Sequence, residues 1–268
     1  KLSKFTTKIG YPNKWRDYSA LEIKRDDLVG NVMRSNQFEH ERNVNKLGKP
    51  IDRDEWYIPP QMINAYYNPE MNEIVFPAAI LQPPFFNRAP DDAVNYGGIG
   101  AVIAHEIGHG FDDQGAKYDG DGLLQSWWTE SDLKNFEART KALISQYDQY
   151  EPLPGQKVQG ALTIGVNIGD LGGATIAYLA YKLSLNGKAA PVIDGFTGDQ
   201  RFFIGFGQIW RDKMRDAATL ERLKTDPHSP PEYRCNGTLV NVPQFYEAFD
   251  IKPTDKMYSA AETRVKIW

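Results

Sequence analysis

Apolar positions along the chain recur with two different periods. Between residues 20 and 46, Leu21, Leu28, Val32, Phe38 and Val44 are spaced at loosely helical intervals among many charges. That pattern predicts one long amphipathic helix with possible breaks at Gly30 and Asn36. Residues 62–67 (MINAYY) and 72–76 (NEIVF), with Asn68, Pro69 and Glu70 between them, predict two short strands in a hairpin. Ile99, Val102, Ile103 and Ile107 return to a helical period, and Gly110 stands where that helix would stop. A helix capped by Thr129 or Ser131 is expected to run to about Tyr150, ended by Pro152, Pro154 and Gly155. Residues 161–185, rich in Ala, Ile and Leu, predict a buried helix, and helices over 200–222 bring Trp210 inward among Phe203, Phe206 and Ile209. Helices with one hairpin make the expected class α+β, mainly α-helical.

Punctuation divides this pattern. Gly48, Pro50, Pro59 and Pro60 mark the passage into a second unit, so the expected division is 1–50 and 51–268. Residues 1–20 lack a clear period and read as if cut from something longer. Residues 77–95 form a proline-rich loop whose Phe85 and Phe86 suit a pocket wall or the core equally. Gly115 to Gly122, with Asp119 and Asp121, lacks the ligand order of a calcium loop and reads as a turn.

Composition excludes more than it selects. Apolar residues make up 41% of the chain and mean hydropathy is -0.53, with no apolar run long enough to span a bilayer. A net charge of -4 without Lys/Arg blocks argues against nucleic acid or an anionic lipid surface as partner. Cys235 is the single cysteine, so no internal disulfide forms, and it reads as a small buried side chain. Asn236-Gly237-Thr238 matches a glycosylation sequon by pattern alone.

Candidate chemistry is concentrated in residues 102–113, VIAHEIGHGFDD. On a helix, His105 and His109 lie one turn apart and aim at one point, which is half a zinc site. Glu106, about 100° around the helix from His105, can act as a proton acceptor without ligating. Only four histidines occur in the chain, and two of them fall at this spacing. Asp112 supplies a carboxylate to orient a ligating ring. A third histidine close behind would be needed at position 115, where Gly115 stands. Glu130 is a possible downstream ligand, yet in TESD it reads equally as a first-turn acid. His40, between Glu39 and Glu41, reads as a solvated helix-face residue. Asn64 and Ala65, on the edge of the expected hairpin, suit pairing with an extended peptide or an ordinary polar edge.

Several longer blocks carry a resemblance. NAYY at 64–67, IVFPAAILQPPFF at 74–86, NYGGIGAVIAHEIGHGFDD at 95–113, NIGDLGG at 167–173, TDPHSPPEYR at 225–234 and the terminal tryptophan are similar, in order, to the catalytic region of the neprilysin and endothelin-converting-enzyme family of zinc metallopeptidases. The resemblance implies a thermolysin-like zinc peptidase domain with an edge strand beside the cleft, acting on short peptides. It implies one zinc ion per chain, held by His105 and His109, with Glu106 as general base. Asp112 and Asp170 would support the two rings, Asp170 thereby counting among the catalytic residues. His228, backed by Asp226, would stabilise the oxyanion, and Arg234, Asn64 and Ala65 would hold the substrate backbone. Ile80, Phe85, Val102 and Trp210 match a pocket for the residue after the scissile bond, implying cleavage before bulky apolar residues. The resemblance also implies an extracytoplasmic location and a helical cap domain, of which residues 1–50 would be a remnant; either the chain is a fragment, or another polypeptide supplies the rest of the cap, or the cleft is open.

One position departs from the family. Where its pattern reads GENIAD, with Glu as third zinc ligand, this chain reads Gly165-Val166-Asn167-Ile168-Gly169-Asp170. Val166 cannot ligate. The expectation is weakened zinc binding and impaired hydrolysis, unless another ligand such as Glu130 substitutes. A non-catalytic peptide-binding protein is the alternative.

Overall fold

The computed structural model describes residues 1–89 and 91–268. Contacts divide the chain into two compact units, Lys1–Gly10 with Gln61–Trp268, and Tyr11–Pro60. The division differs from the expected boundary at residue 50 because the first ten residues build part of the larger unit's sheet. In that sheet β1 (Thr6–Gly10) lies parallel to β3 (Glu73–Pro77), and β2 (Tyr66–Asn68) pairs antiparallel with β3 on its other side. The β2–β3 hairpin matches the expected one, but residues 62–65 are not strand. The parallel partner β1 carried too little period to be read. Lys8 on β1 pairs with the buried Glu73 at 2.7 Å, diagonally across the ladder, since the register sets Thr6 against Glu73 and Lys8 against Val75.

The smaller unit contains α1 (Leu28–Val44). Its helix starts later than the pattern from residue 20 implies, because Asp27 caps it, accepting from Gly30 N–H, and it runs unbroken through Gly30 and Asn36. No residue of α1 is buried. Charge supports it instead: Glu55 takes Arg42 at 2.6 Å and Lys46 at 2.8 Å, while Glu39 takes Arg16 and Arg42.

The larger unit is helical apart from its sheet. After α2 (Asp92–Asn95) and one π-turn (Tyr96–Gly100) come α3 (Ala101–His109), α4 (Glu130–Tyr147) and α5 (Gly160–Ser184). Then follow α6 (Gly198–Ile209), α7 (Asp216–Thr225), α8 (Pro231–Leu239) and α9 (Pro243–Phe249). The last two fall in the tail that the sequence left unassigned; both start at a proline, whose fixed φ suits a first helical turn. The main core gathers Leu143, Tyr147, Ile168, Tyr181, Phe202 and Phe206, all nearly inaccessible. A second, smaller cluster joins Ile74, Phe76, Ile80 and Ile99 beneath the sheet.

The pairing of α3 with α5 positions the site. Their close approach needs glycine: a Cβ at Gly173 would stand 2.7 Å from the Ala101 carbonyl, and one at Gly169 would stand 2.8 Å from His105 Nδ1. No helix among the described residues is long and apolar enough to cross a membrane.

Candidate metal and peptide site

Helix α3 presents His105 and His109 one turn apart, with ring centroids 4.5 Å apart and the rings edge-on. Each ring has a carboxylate at Nδ1. His109 Nδ1 bonds Asp112 Oδ2 at 2.7 Å, and Asp112 Oδ1 in turn accepts from the backbone N–H groups of Gln114 and Gly115. His105 Nδ1 lies 2.8 Å from Asp170 Oδ1 on α5, a short contact bent out of hydrogen-bond line where the ring rests on Gly169. A carboxylate at Nδ1 draws the ring proton there and leaves Nε2 as the free lone pair. Burial, with His109 beside it, pulls the His105 pKa down against the opposing charge of Asp170, which keeps its ring neutral. Burial acts the same way on His109, but there the Asp112 hydrogen bond and the nearby carboxylates outweigh it and raise the pKa. Glu106, next to His105 on α3, is buried as well.

Asp170 anchors the second half. Burial alone would raise its pKa, yet Arg234 holds the carboxyl well below the usual range by donating from Nε to Oδ2 and from Nη2 to Oδ1, both at 2.8 Å. The Arg234 guanidinium in turn stacks 3.9 Å above the Trp210 ring. Thus Trp210, Arg234, Asp170 and His105 form one continuous chain of contacts. His228, exposed after α7, receives Asp226 at Nδ1 (2.7 Å) and also bonds it through its own N–H, while Asp226 Oδ2 holds Arg222. Despite partial burial, those donors depress the Asp226 pKa.

Other expected residues are less gathered. Ile80, Phe85 and Val102 share the smaller apolar cluster, whereas Trp210 packs against the main core, so the four do not form one cluster. Asn64 is exposed and its Oδ1 accepts the N–H of buried Ala65; neither belongs to a strand. Cys235 is half-buried, and burial pushes its thiol up to about 12, in keeping with an inert packing role.

Two features escaped the sequence. Ser229, next to His228, donates to Asn167 Oδ1 at 2.8 Å, and Asn167 Nδ2 bonds Thr163 one turn earlier on α5. All three are buried, which ties the His228 loop to the helix opposite α3. A buried Asn within an apolar helix was the available signal. Lys1 donates from Nζ to the carbonyls of Gly115 and Tyr118, closing the turn behind His109, and burial lowers its pKa to about 8. Nothing in the sequence pattern marks it.

Whether the residues present suit a zinc ion can be tested on this donor set. His105 and His109 fit: both are imidazoles with the distal nitrogen fixed by a carboxylate. Val166, buried on α5 one turn before Asp170, offers no donor. Glu130 stands exposed at the first position of α4, where Thr129 caps the helix. Among the described residues no set of three His, Cys, Asp or Glu side chains that could hold a metal comes together.

Comparison with known proteins gives a consistent picture. The model of Peptidase family M13 matches residues 64–265. Mouse endothelin-converting enzyme 1 is 42% identical over 260 residues, covering 93% of this chain and 34% of that protein. The neutral endopeptidase of Lactococcus lactis subsp. lactis is 39% identical over 269 residues, covering 100% of this chain and 41% of that protein. A crystal structure of a zinc metalloprotease of Mycobacterium tuberculosis in complex with inhibitor superposes with a TM-score of 0.97 at 64% identity, over 99% of this chain and 41% of that one. This chain therefore spans well under half the length of these relatives.

Proposed function

Since the chain belongs to peptidase family M13, we propose that it is the catalytic part of a zinc-dependent endopeptidase for short peptides, impaired at residue 166. The observation that carries this reading is the pair of carboxylate-backed imidazoles with Glu106 buried beside them. His105 and His109 would hold a zinc ion, which would supply Lewis-acid polarisation of the scissile carbonyl and a more acidic water. Glu106 accepts the proton that water gives up and passes it to the leaving amine. Asp226 fixes His228 through Nδ1, leaving Nε2 to hydrogen-bond the developing oxyanion. Arg234, with two of its nitrogens on Asp170, keeps Nη1 for a substrate carbonyl. Asn64 and Ala65 hold the peptide backbone, and Ile80, Phe85 and Val102, with Trp210 on a separate apolar wall, favour cleavage before bulky apolar residues.

Two protein donors bind zinc less tightly than three, so Val166 weakens the metal and lowers turnover. The same residue favours a second reading, a protein that keeps the peptide cleft but not the chemistry. Metal content and hydrolysis of a quenched peptide, measured on this chain beside Val166→Glu, separate these readings. The first expects clearly less than one zinc per chain after dialysis and a rise in both quantities on substitution. Full zinc in the parent would defeat the claim of impairment; zinc gain without hydrolysis would favour the binding protein. An extracytoplasmic site of action and a separate helical cap remain part of the proposal on family grounds.

A further inference from the structure

A cavity of about 370 Å³ opens beside His228, and none of Ile80, Phe85 or Val102 lines it. Its apolar walls are Leu153, Trp210, Met214 and Leu223, contributed by the segment after α4, the segment after α6, and α7. Three carboxylates, Asp212, Asp216 and Glu232, also line it, and none has a salt-bridge partner among the described residues. Of the two arginines present, Arg222 is spent on Asp226 at 2.7 Å, which leaves Arg211 as the remaining cation. The cavity is thus apolar in its walls and negative in its balance of free charge.

That combination selects among side chains. A long aliphatic stem ending in a cation can lay its methylenes on the apolar wall while the charge stays hydrated near the carboxylates. A wholly apolar side chain gains the wall alone, and an acidic one meets like charge. Because His228 lies on the same wall and is assigned to the scissile carbonyl, whatever fills the cavity is continuous with the bound peptide. We propose that this cavity is a specificity subsite for a lysine or arginine side chain of the peptide. The proposal rests on the peptide-cleft reading above and adds a charge preference to it.

Binding tests it without requiring turnover. Calorimetric titration of the chain uses a peptide set with one bulky apolar residue, in which lysine or its uncharged counterpart norleucine is scanned through the flanking positions. At one position the lysine peptide should bind about tenfold more tightly at low salt, and the advantage should shrink as salt screens the carboxylates. Asp216→Asn/Glu232→Gln should bring that pair of peptides within about twofold of each other. Equal affinities at every position, or an advantage that survives the double substitution, would overturn the subsite while leaving the peptide cleft standing. If no peptide of the set binds, the cleft reading fails and the subsite falls with it.

Discussion

Helices α3 and α5 face each other across the site, and they differ in what they retain. On α3, His105, Glu106 and His109 lie together, with Asp112 just beyond. On α5 the polar groups are engaged, Asn167 with Ser229 and Asp170 with both Arg234 and His105, while position 166, where the proposed function would need a third donor, holds the apolar Val166. The difference shows which residues the fold depends on. Asp170 is a buried charge whose removal would strand Arg234 and His105, and Asn167 is a buried amide that satisfies two hydroxyls. A glutamate at 166 would serve only the metal, and a valine there gains burial, worth about 1.5–3 kcal/mol for such a side chain. On this reading a valine at 166 suits the fold, while removing Asp170 or Asn167 would destabilise it.

Restoring the donor probes this contrast most strongly. Val166→Glu should raise zinc affinity by more than about 100-fold, beyond the range seen when only a supporting group changes. Competition with a fluorescent chelator measures it. The same substitution should lower stability in chelator by about 1–3 kcal/mol, because a carboxylate is then buried without a partner. Adding zinc should reverse the order of unfolding midpoints. If the variant is the more stable form without metal, the valine is not a stabilising replacement and the contrast between the helices collapses.

Removing a support is the complementary test. Asp170→Asn should cost about 3–5 kcal/mol in denaturant unfolding, since the half-buried Arg234 keeps its charge uncompensated and the buried His105 loses its carboxylate. The pH profile adds a sign. The folded pKa of Asp170 lies below its ordinary value of 3.8, so its stabilisation is complete above that value and is lost as pH falls through it toward the folded pKa. Parent stability should accordingly fall more steeply below about pH 4 than that of Asp170→Asn. Parallel profiles for the two proteins would mean that Asp170 is not the anchored charge described here.

The sequence made one of these helices far more legible than the other half of the arrangement. His105, Glu106 and His109 sit within a single turn and a half of α3, so spacing alone placed them. Helices α4, α5 and α6 were readable because each buries an apolar stripe, with Thr129 also marking the start of α4, whereas the Thr197 cap of α6 emerged only in the structure. What was not readable lies at long range. The pairing of Asp170 with His105 and Arg234 joins residues 64 positions apart on its Arg234 side, and came only through resemblance. The Ser229–Asn167 bond and the Lys1 contacts depend on packing that no local period encodes. β1 was missed for the same reason, since a short parallel strand is defined by its distant partner β3.

Ser229→Ala asks whether the His228 loop depends on α5. The substitution leaves Asn167 Oδ1 buried without its donor, which should cost about 1–3 kcal/mol. In the Val166→Glu background it should lower kcat more than it raises KM, since His228 is assigned to the transition state. A change confined to KM would indicate that the loop serves ground-state binding instead.

The smallest effect is expected at Glu130, and it bears on whether α5 has been replaced by another donor. Glu130 is exposed at the start of α4, where a negative charge favours the helix dipole and Thr129 already accepts from Asp132 N–H. Glu130→Ala should therefore cost about 0.3–1 kcal/mol of stability and leave the parent's zinc affinity unchanged within the error of chelator competition. A drop in affinity of tenfold or more would make Glu130 the substitute ligand and would require the segment around Thr129 to reach the metal. In that case the missing half of the site would have moved from α5 to α4, and Val166 would mark a relocation of the donor rather than its loss.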